Sequence, residues 1–451
     1  DKGLVFIFYL CTMTDNRKDL NAILTKLNID QLNPMQVKAF QMINQYEEVV
    51  LLSPTGTGKT LAFLLPLLEK LNPIQEVIQL LIVVPSRELA IQIEQVAREM
   101  GSGYKVNAVY GGRAGAKDKI DLKHAPAILI GTPGRLADHI RNDHIDPSAI
   151  ESLVLDEFDK SLEVGFEEEM KEIVDALPTL KNKVLTSATN KTKFPSFLNL
   201  INPQEIDFIG EQSRNQLDQI LLTTDQEDKL DILIDLLHHV GRKNGIIFCN
   251  FKDSIKHVSE HLRSEGIHHV CFYGGMEQKD RERSLIKFRN GSSRILLATD
   301  LAARGIDIPE LDFIVHYQLP IKETEFIHRN GRTARMNSEG TAYILRWTRE
   351  KIPSFINEKK SIQLKLVKSD LTPSWTTLFL SGGRKDKISK GDVAGLFFKQ
   401  GKLSKEELGM IELKQDCAFV AVAAAKASKV VNSLNNSRLK KKKVRISILN
   451  N

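Results

Sequence analysis

Cysteine is scarce in this 451-residue chain: Cys11, Cys249, Cys271 and Cys417 are all it has. No two stand close enough for a CxxC pair, which removes a thiol–disulfide motif and a cysteine zinc site. The last three fall in apolar, strand-like runs and read as small buried hydrophobes of a protein from a reducing, cytosolic compartment. No uncharged apolar run reaches 18 residues, which excludes a transmembrane helix. Internal repeats are missing, and so is low-complexity sequence apart from one run of lysines, so a solenoid is excluded as well. Neither sign of charge dominates. Sixty-three Lys plus Arg against 57 Asp plus Glu leave a formal +6, too little to argue a polyanion partner from net charge alone. Residues 4–13 are apolar but short, Lys2 is balanced by Asp1, and no small-residue cleavage site follows. We read 1–12 as a disordered N-terminal extension rather than a signal peptide.

What is present is the composition of a folded chain, 42% hydrophobic and 27% charged. Its length suits about three domains. Short runs rich in Val, Ile and Leu alternate with helical patterns. One series is 49–52, 80–84, 127–130, 153–155 and 184–186; a second is 245–249, 269–273, 294–298, 313–316 and 341–345. Such runs suit strands buried on both faces of a parallel sheet, with helical stretches such as 87–100 and 280–289 as crossovers. Two series predict two α/β domains, over 13–205 and 219–368, joined by a linker at 206–218. The stretch 372–451 reads strand, helix, strand, strand, helix, strand. That βαββαβ order is the ferredoxin-like arrangement of RNA-recognition-motif (RRM) domains. It ends in Arg438, Lys440, Lys441, Lys442, Lys443 and Arg445 with no acid between them.

Ser53-Pro54-Thr55-Gly56-Thr57-Gly58-Lys59-Thr60 follows the first strand and opens a helix, the context a phosphate-binding loop requires. Gly56 and Gly58 let the backbone curl so that N–H groups point at phosphate oxygens. Lys59 is placed for the β/γ-phosphates of ATP and Thr60 for Mg²⁺, although Ser53 stands where the generic pattern has its first glycine. Asp156-Glu157-Phe158-Asp159 follows the strand at 153–155. A carboxylate at the end of a neighbouring strand can hold Mg²⁺, and the next can polarise a water for in-line attack. We assign Asp156 to the metal and Glu157 to the water. Taken alone, this acidic segment is equally an ordinary helix N-terminus with favourable dipole charges.

With these residues in hand, the chain resembles the DEAD-box RNA helicases of superfamily 2. LNPMQ at 32–36 resembles the Q motif, SPTGTGKT at 53–60 motif I and PSRELA at 85–90 motif Ia. Gly111-Gly112, TPGR at 132–135, DEFD at 156–159, SAT at 187–189 and IFCN at 247–250 follow in order. The Gln278/Arg281 pair, ATDLAARGIDI at 298–308 and HRNGRTAR at 328–335 complete the set. The resemblance implies two RecA-like parallel-sheet domains in tandem, with ATP and RNA bound across the cleft between them. It implies that Gln36 reads adenine N6 and N7, that Thr55, Gly56, Thr57 and Gly58 cradle phosphates, and that Asp307 contacts the nucleotide. Arg332 and Arg335 would be arginine fingers on the γ-phosphate. Ser187 and Thr189, hydrogen-bonded toward Asp159, would couple hydrolysis to strand release. RNA contacts would come from Arg87, Gly112, Thr132, Gly134 and Arg135, then from Asn250, Gln278, Arg281 and Thr299. Their targets would be phosphates and 2′-OH groups, without sequence readout.

Four departures stand out. Phe158 replaces the usual Ala, Ser86 a Thr and Ala334 a Gly, and Asp19 stands where an aromatic usually precedes the Q motif. The carboxylates survive, so the chemistry is expected to survive, with a larger apolar side chain packed behind the strand. Residues 372–451 resemble the C-terminal RNA-binding domain of DbpA-like members, most clearly in TLFLSGGRKDKI at 377–388. That implies docking on a structured RNA, in that subfamily a hairpin of large-subunit ribosomal RNA, and a role in ribosome assembly. Phe379 and Phe419 lie where RRM domains present stacking aromatics, though a place in the core is equally compatible with them. Lys441 and Lys442 would meet phosphates, or form a solvated loop. The expected activity is RNA-dependent ATP hydrolysis with Mg²⁺, driving local unwinding of short duplexes or ribonucleoprotein remodelling by a cytoplasmic monomer with no membrane partner. An RNA chaperone or ATP-dependent clamp that scarcely unwinds is one alternative. A non-catalytic RNA-binding adaptor is another, against which the retained Lys59, Thr60, Asp156, Glu157, Arg332 and Arg335 argue.

Overall fold

The computed structural model describes residues 20–54, 56–112, 115–189, 194–209, 217–303, 308, 311–333, 340–356, 360–364 and 368–449. The extension at 1–12, and with it Cys11, lies outside the described residues. The chain forms two compact units, one from the sequence up to Arg214 and one from Asn215 onward, apart from 305–307.

The first unit is built on a seven-stranded parallel sheet. Its strands are β1 (Glu48–Leu52), β2 (Leu80–Val83), β3 (Val106–Val109), β4 (Ile128–Gly131), β5 (Ser152–Leu155), β6 (Asn182–Ser187) and β7 (Gln204–Asp207). Their order is β3-β4-β2-β5-β6-β1-β7. Leu80–Val83 and Ile128–Gly131 are buried along their whole length because helices cover both faces, giving one apolar cluster on each side. Neither β3 nor β7 is among the apolar runs of the sequence. Asn107 interrupts β3, and β7 is an edge strand whose Gln204-Glu205-Ile206-Asp207 buries only the isoleucine.

In the second unit, β8 (Leu217–Thr224), β9 (Gly245–Phe248), β10 (His269–Phe272), β11 (Ile295–Ala298), β12 (Phe313–His316) and β13 (Gly340–Trp347) form a parallel sheet. Its order is β10-β11-β9-β12-β13-β8. The edge strand β8 starts within the stretch expected to be linker; its exposure alternates, so no apolar run betrays it.

The same unit carries the C-terminal module. Strands β14 (Trp375–Leu380), β15 (Leu408–Leu413) and β16 (Ala418–Ala423) precede a short ribbon of β17 (Arg438–Leu439) and β18 (Lys442–Lys443), and β19 (Ile446–Ile448) closes the module. The antiparallel sheet order β15-β16-β14-β19, with helices Lys390–Lys399 and Ala427–Leu434 packed on one face, is the expected βαββαβ fold. The lysine run lies on a two-stranded ribbon: Arg438 pairs with Lys443 and Leu439 with Lys442, and Lys440 and Lys441 form the turn between them. Cys249 is fully buried, whereas Cys271 and Cys417 are only half-buried. Among the described residues no helix is long and apolar enough to cross a membrane.

Candidate functional site

The sheet of the first unit gathers the sequence-predicted residues at the carboxyl ends of β1, β5 and β6, where open α/β sheets bind ligands. The loop after β1 curls through Gly56 and Gly58, both in the left-handed region at φ 84° and 85°, where a side chain would be strained. Lys59 opens the helix Lys59–Glu69. It is 8% exposed, and its ammonium donates to the carbonyls of Ser53 at 2.6 Å and Pro54 at 2.9 Å. Burial pulls its pKa down to about 8 against the opposing pull of Glu157 and Asp156. Thr57 donates to the Pro54 carbonyl at 2.9 Å, and Ser53, in the first-glycine position, donates to the Thr57 hydroxyl at 2.8 Å. Ser53 therefore braces the loop from inside. Thr60 follows Lys59 in the first turn. Thr55 lies outside the described residues.

Asn33 and Gln36 form a capping box on the helix Pro34–Gln45 and tie it to the loop. Asn33 Nδ2 donates to Thr57 O at 3.0 Å, and Gln36 Nε2 to Gly58 O at 3.3 Å. The Gln36 oxygen accepts from the Asn33 N–H at 3.0 Å. A Cβ on Gly58 would fall 2.5 Å from Gln36 Nε2 and displace its amide, while the positive φ favours glycine there.

Asp156 and Glu157 are 3% and 5% exposed at the end of β5. The Thr186 hydroxyl donates to Asp156 and accepts the Glu157 N–H at 3.1 Å. Burial, reinforced by the neighbouring Glu157 charge, pushes Asp156 up to about 6. Glu157 adopts φ 51°, which turns the chain sharply into the helix Phe158–Val164, and Lys160 Nζ sits 2.8 Å from its carboxylate. Phe158, 2% exposed, packs behind the strand against Phe194 with ring centroids 6.0 Å apart. The larger side chain is thus absorbed by the core without displacing a carboxylate. Asp159 accepts from the Thr189 hydroxyl at 3.2 Å, and Ser187 Oγ donates to the Thr189 carbonyl at 2.8 Å. The three coupling residues form one buried bracket.

Other candidates of this unit lie on loops at the strand ends. Arg87 follows Ser86, whose hydroxyl caps the helix Arg87–Glu99 by accepting from Leu89 N at 3.2 Å. The space beside Gly112 is filled by the Arg87 guanidinium, which a Cβ there would strike. Thr132 precedes the helix Pro133–Arg141, and nothing lies within 4 Å of a Cβ placed on Gly134. Arg135 is held by Asp118 at 2.9 Å and Asp138 at 3.1 Å, so its guanidinium is oriented by protein carboxylates.

In the second unit the described residues include Asn250, Gln278, Arg281, Thr299 and Arg332, while Asp307 and Arg335 lie outside them. Gln278 opens the helix Gln278–Arg289, and Arg281 lies over the Phe272 ring, 4.6 Å from its centroid. The Thr299 carbonyl accepts from Ala303 N at 2.9 Å, and Arg332 is only 4% exposed. Asn250 brings to light a residue that sequence reasoning missed. Its Nδ2 donates to Leu319 O at 3.0 Å and its Oδ1 accepts from Arg329 at 2.7 Å. Arg329, 1% exposed, also forks onto Asp300 and donates to Gln318 O. One arginine therefore locks the loops after β9, β11 and β12. The available signal was Asp300, an acid at a strand end that needs a buried cation.

In the module, Phe419 takes the second of the two places the sequence allowed it. Phe419 is 6% exposed and packs with Ile286 and Leu449, with Phe379 beside it; the two phenylalanine rings meet edge-on at 5.8 Å. Phe419 lies in an apolar contact and presents no open stacking face. Basic residues gather elsewhere. Lys442 pairs with Asp386 and Lys440 with Asp392, both at 2.7 Å, which brings the ribbon against the 384–387 turn. Arg384, Lys385 and Lys387 lie on that same turn, and Arg438, Lys441 and Lys443 on the ribbon.

Comparison with known proteins agrees with this geometry. A family model described as "DEAD/DEAH box helicase" matches residues 33–196, one described as "Helicase conserved C-terminal domain" matches 228–337, and "DbpA RNA binding domain" matches 377–448. The chain is 30% identical to the ATP-dependent RNA helicase DbpA of Escherichia coli, over 94% of this chain and 96% of that one. It is 29% identical to its Bacillus subtilis namesake, over 96% and 98%. Among solved structures, Saccharomyces cerevisiae Dbp5 bound to RNA and ADP BeF3 superposes with a TM-score of 0.65 at 27% identity, covering 72% of this chain and 86% of that one. The DEAD-box helicase Mss116 bound to ssRNA and UDP-BeF superposes at 0.68 with 23% identity, covering 77% and 78%, a likeness of fold.

Proposed function

Because this chain belongs to the DEAD-box ATP-dependent RNA helicases, of the DbpA type, we propose that it uses RNA-stimulated ATP hydrolysis to open short stretches of structured RNA. The observation that carries this reading is the buried constellation of Lys59, Asp156, Glu157, Thr186 and Ser187 at three adjacent strand ends. A buried lysine beside two buried carboxylates fits a metal-bound triphosphate: Asp156, pushed up to about 6 by burial, gains from a cation, and Thr60 stands next to Lys59 to share it. Thr60 and Asp156 would hold Mg²⁺, which would neutralise charge on the phosphates. Lys59 exchanges its two carbonyl partners for phosphate oxygens, and Gln36 holds the loop while its amide faces the base. Glu157 accepts a hydrogen bond from the attacking water. The Asp159–Thr189–Ser187 bracket relays the change to the strand-holding loops. Arg332 and Arg335 act on the terminal phosphate, as the match over 228–337 supports.

RNA is held by Arg87, Gly112, Thr132, Gly134, Gln278, Arg281 and Thr299 through backbone phosphates, and by the module through the cations around Asp386 and Asp392. The finer proposal is that the structured RNA is ribosomal and is met during large-subunit assembly. It rests on the likeness of 377–448 to the DbpA module. A strand-displacement assay on a short RNA duplex joined to a hairpin tests the proposal. ATP-dependent release is expected; ATP-dependent binding with no release would favour the clamp.

A further inference from the structure

One interface of the second unit has no part in the reading above. The helix Gln278–Arg289 presents Glu282, Ile286 and Arg289 at i, i+4 and i+7, one stripe of its surface. That stripe meets the face of the module's sheet opposite its own two helices. Phe379 pairs with Phe419 and Phe419 with Glu412 across β14, β16 and β15, so all three side chains point to one face. Ile286 packs on Phe419 and Leu449. Arg289 Nη2 lies 2.9 Å from both oxygens of Glu412, and Lys414 bridges Glu412 at 2.8 Å and Glu282 at 2.7 Å. At the rim, the Ser292 and Thr377 hydroxyls are 2.6 Å apart. A Cβ on Gly291 would lie 3.2 Å from the Trp375 ring and one on Gly409 3.1 Å from it, so the indole rests against backbone from both partners. Apolar centre, satisfied charges and polar rim are the anatomy of a specific interface.

We propose that the module's sheet face is a docking surface for the Gln278–Arg289 helix rather than an RNA platform, and that docking sets which RNAs the chain selects. It rests on the RNA-binding reading above. The same helix carries Gln278 and Arg281 in its first turn and meets the module from Glu282 through Arg289. The strand-holding residues and the docked module thus share one 12-residue element of fixed geometry. A structured element held by the module's basic end and a single strand held at Gln278 and Arg281 therefore stand at one separation. The chain favours RNAs in which a hairpin and a single strand are joined by a spacer that matches it. A freely tethered module would tolerate any spacer, with affinity falling only slowly as the spacer lengthens.

The test uses the full chain carrying Trp347→Phe, so that of its two tryptophans only Trp375 reports. Acrylamide quenching of Trp375 reads docking, and fluorescence anisotropy reads affinity for hairpins joined to a single strand by spacers of increasing length. We expect a shielded Trp375 and a spacer optimum about fivefold tighter than its flanks. In Arg289→Glu, which sets like charges face to face, Trp375 becomes readily quenched and the spacer curve flattens. Arg289→Glu with Glu412→Arg restores both. A flat curve in the parent protein, or an unchanged curve in Arg289→Glu once Trp375 is exposed, overturns the proposal. Anisotropy needs no hydrolysis, so failure of the ATPase reading would show separately, as RNA that binds without stimulating turnover.

Discussion

Arg329 forks onto Asp300, Nε to Oδ1 at 2.7 Å and Nη2 to Oδ2 at 2.5 Å, while the same Nη2 reaches Asn250 Oδ1 at 2.7 Å. The arginine is fully buried, with its guanidinium 5.2 Å from the centre of the Phe248 ring. A bidentate pair in this setting is not replaceable by an ammonium. Arg329→Met, which removes the cation and leaves Asp300 without its partner, should lower the unfolding free energy of the second unit by about 3–5 kcal/mol. Urea unfolding followed by circular dichroism measures it.

His316 predicts a pH dependence. Burial, aided by Arg329, pushes its pKa down to about 3, although Asn330 Oδ1 at 3.1 Å pulls the other way. The folded protein keeps the ring neutral, whereas the unfolded chain takes up a proton near 6.5. Its stabilising share is therefore complete above about pH 6.5 and is lost as pH falls toward 3, at about 1.4 kcal/mol per pH unit. Denaturant titrations from neutral pH down to about pH 5 should show this slope, and His316→Gln should flatten it.

Phe158 separates stability from chemistry. Phe158→Ala empties a packed site between β5 and Phe194 and should cost the first unit about 3–5 kcal/mol. The carboxylates of Asp156 and Glu157 stay in place, so turnover per folded molecule at low temperature should change little. Thermal melts and ATPase assays on the same samples check both halves.

The basic end of the module should act through phosphates alone. Replacing Lys441, Lys443 or Arg438 by Ser should weaken every RNA alike. Each phosphate left without its cation should lower the log–log salt dependence of binding by about 0.7–0.9. Filter binding from low to moderate salt measures the slope.

Much of this architecture was legible because parallel strands buried on both faces leave unbroken apolar runs, and phosphate chemistry leaves glycines and acids at fixed spacing. Strands β3, β7 and β8 were not legible: Asn107 breaks the first, and the other two are edges whose exposure alternates. Arg329 stands inside the HRNGRTAR segment at 328–335, but its clamping role arises only when β9, β11 and β12 bring Asn250, Asp300 and Gln318 together. The role of Phe419 stayed open for a related reason. Alternation places it on the right face of the sheet, but nothing in 372–451 says that Ile286, far earlier in the chain, covers that face. The ribbon of the lysine run was not legible either, because two-residue strands made mostly of lysine and arginine carry no apolar pattern.

The most direct test of the account is ATP hydrolysis with and without RNA, in the parent protein and in Glu157→Gln. The account predicts turnover that rises at least about tenfold with RNA and is lost in Glu157→Gln, since general-base catalysis is typically worth about 10²–10⁴-fold, while ATP and RNA still bind. Turnover indifferent to RNA, or retained in Glu157→Gln, would contradict it.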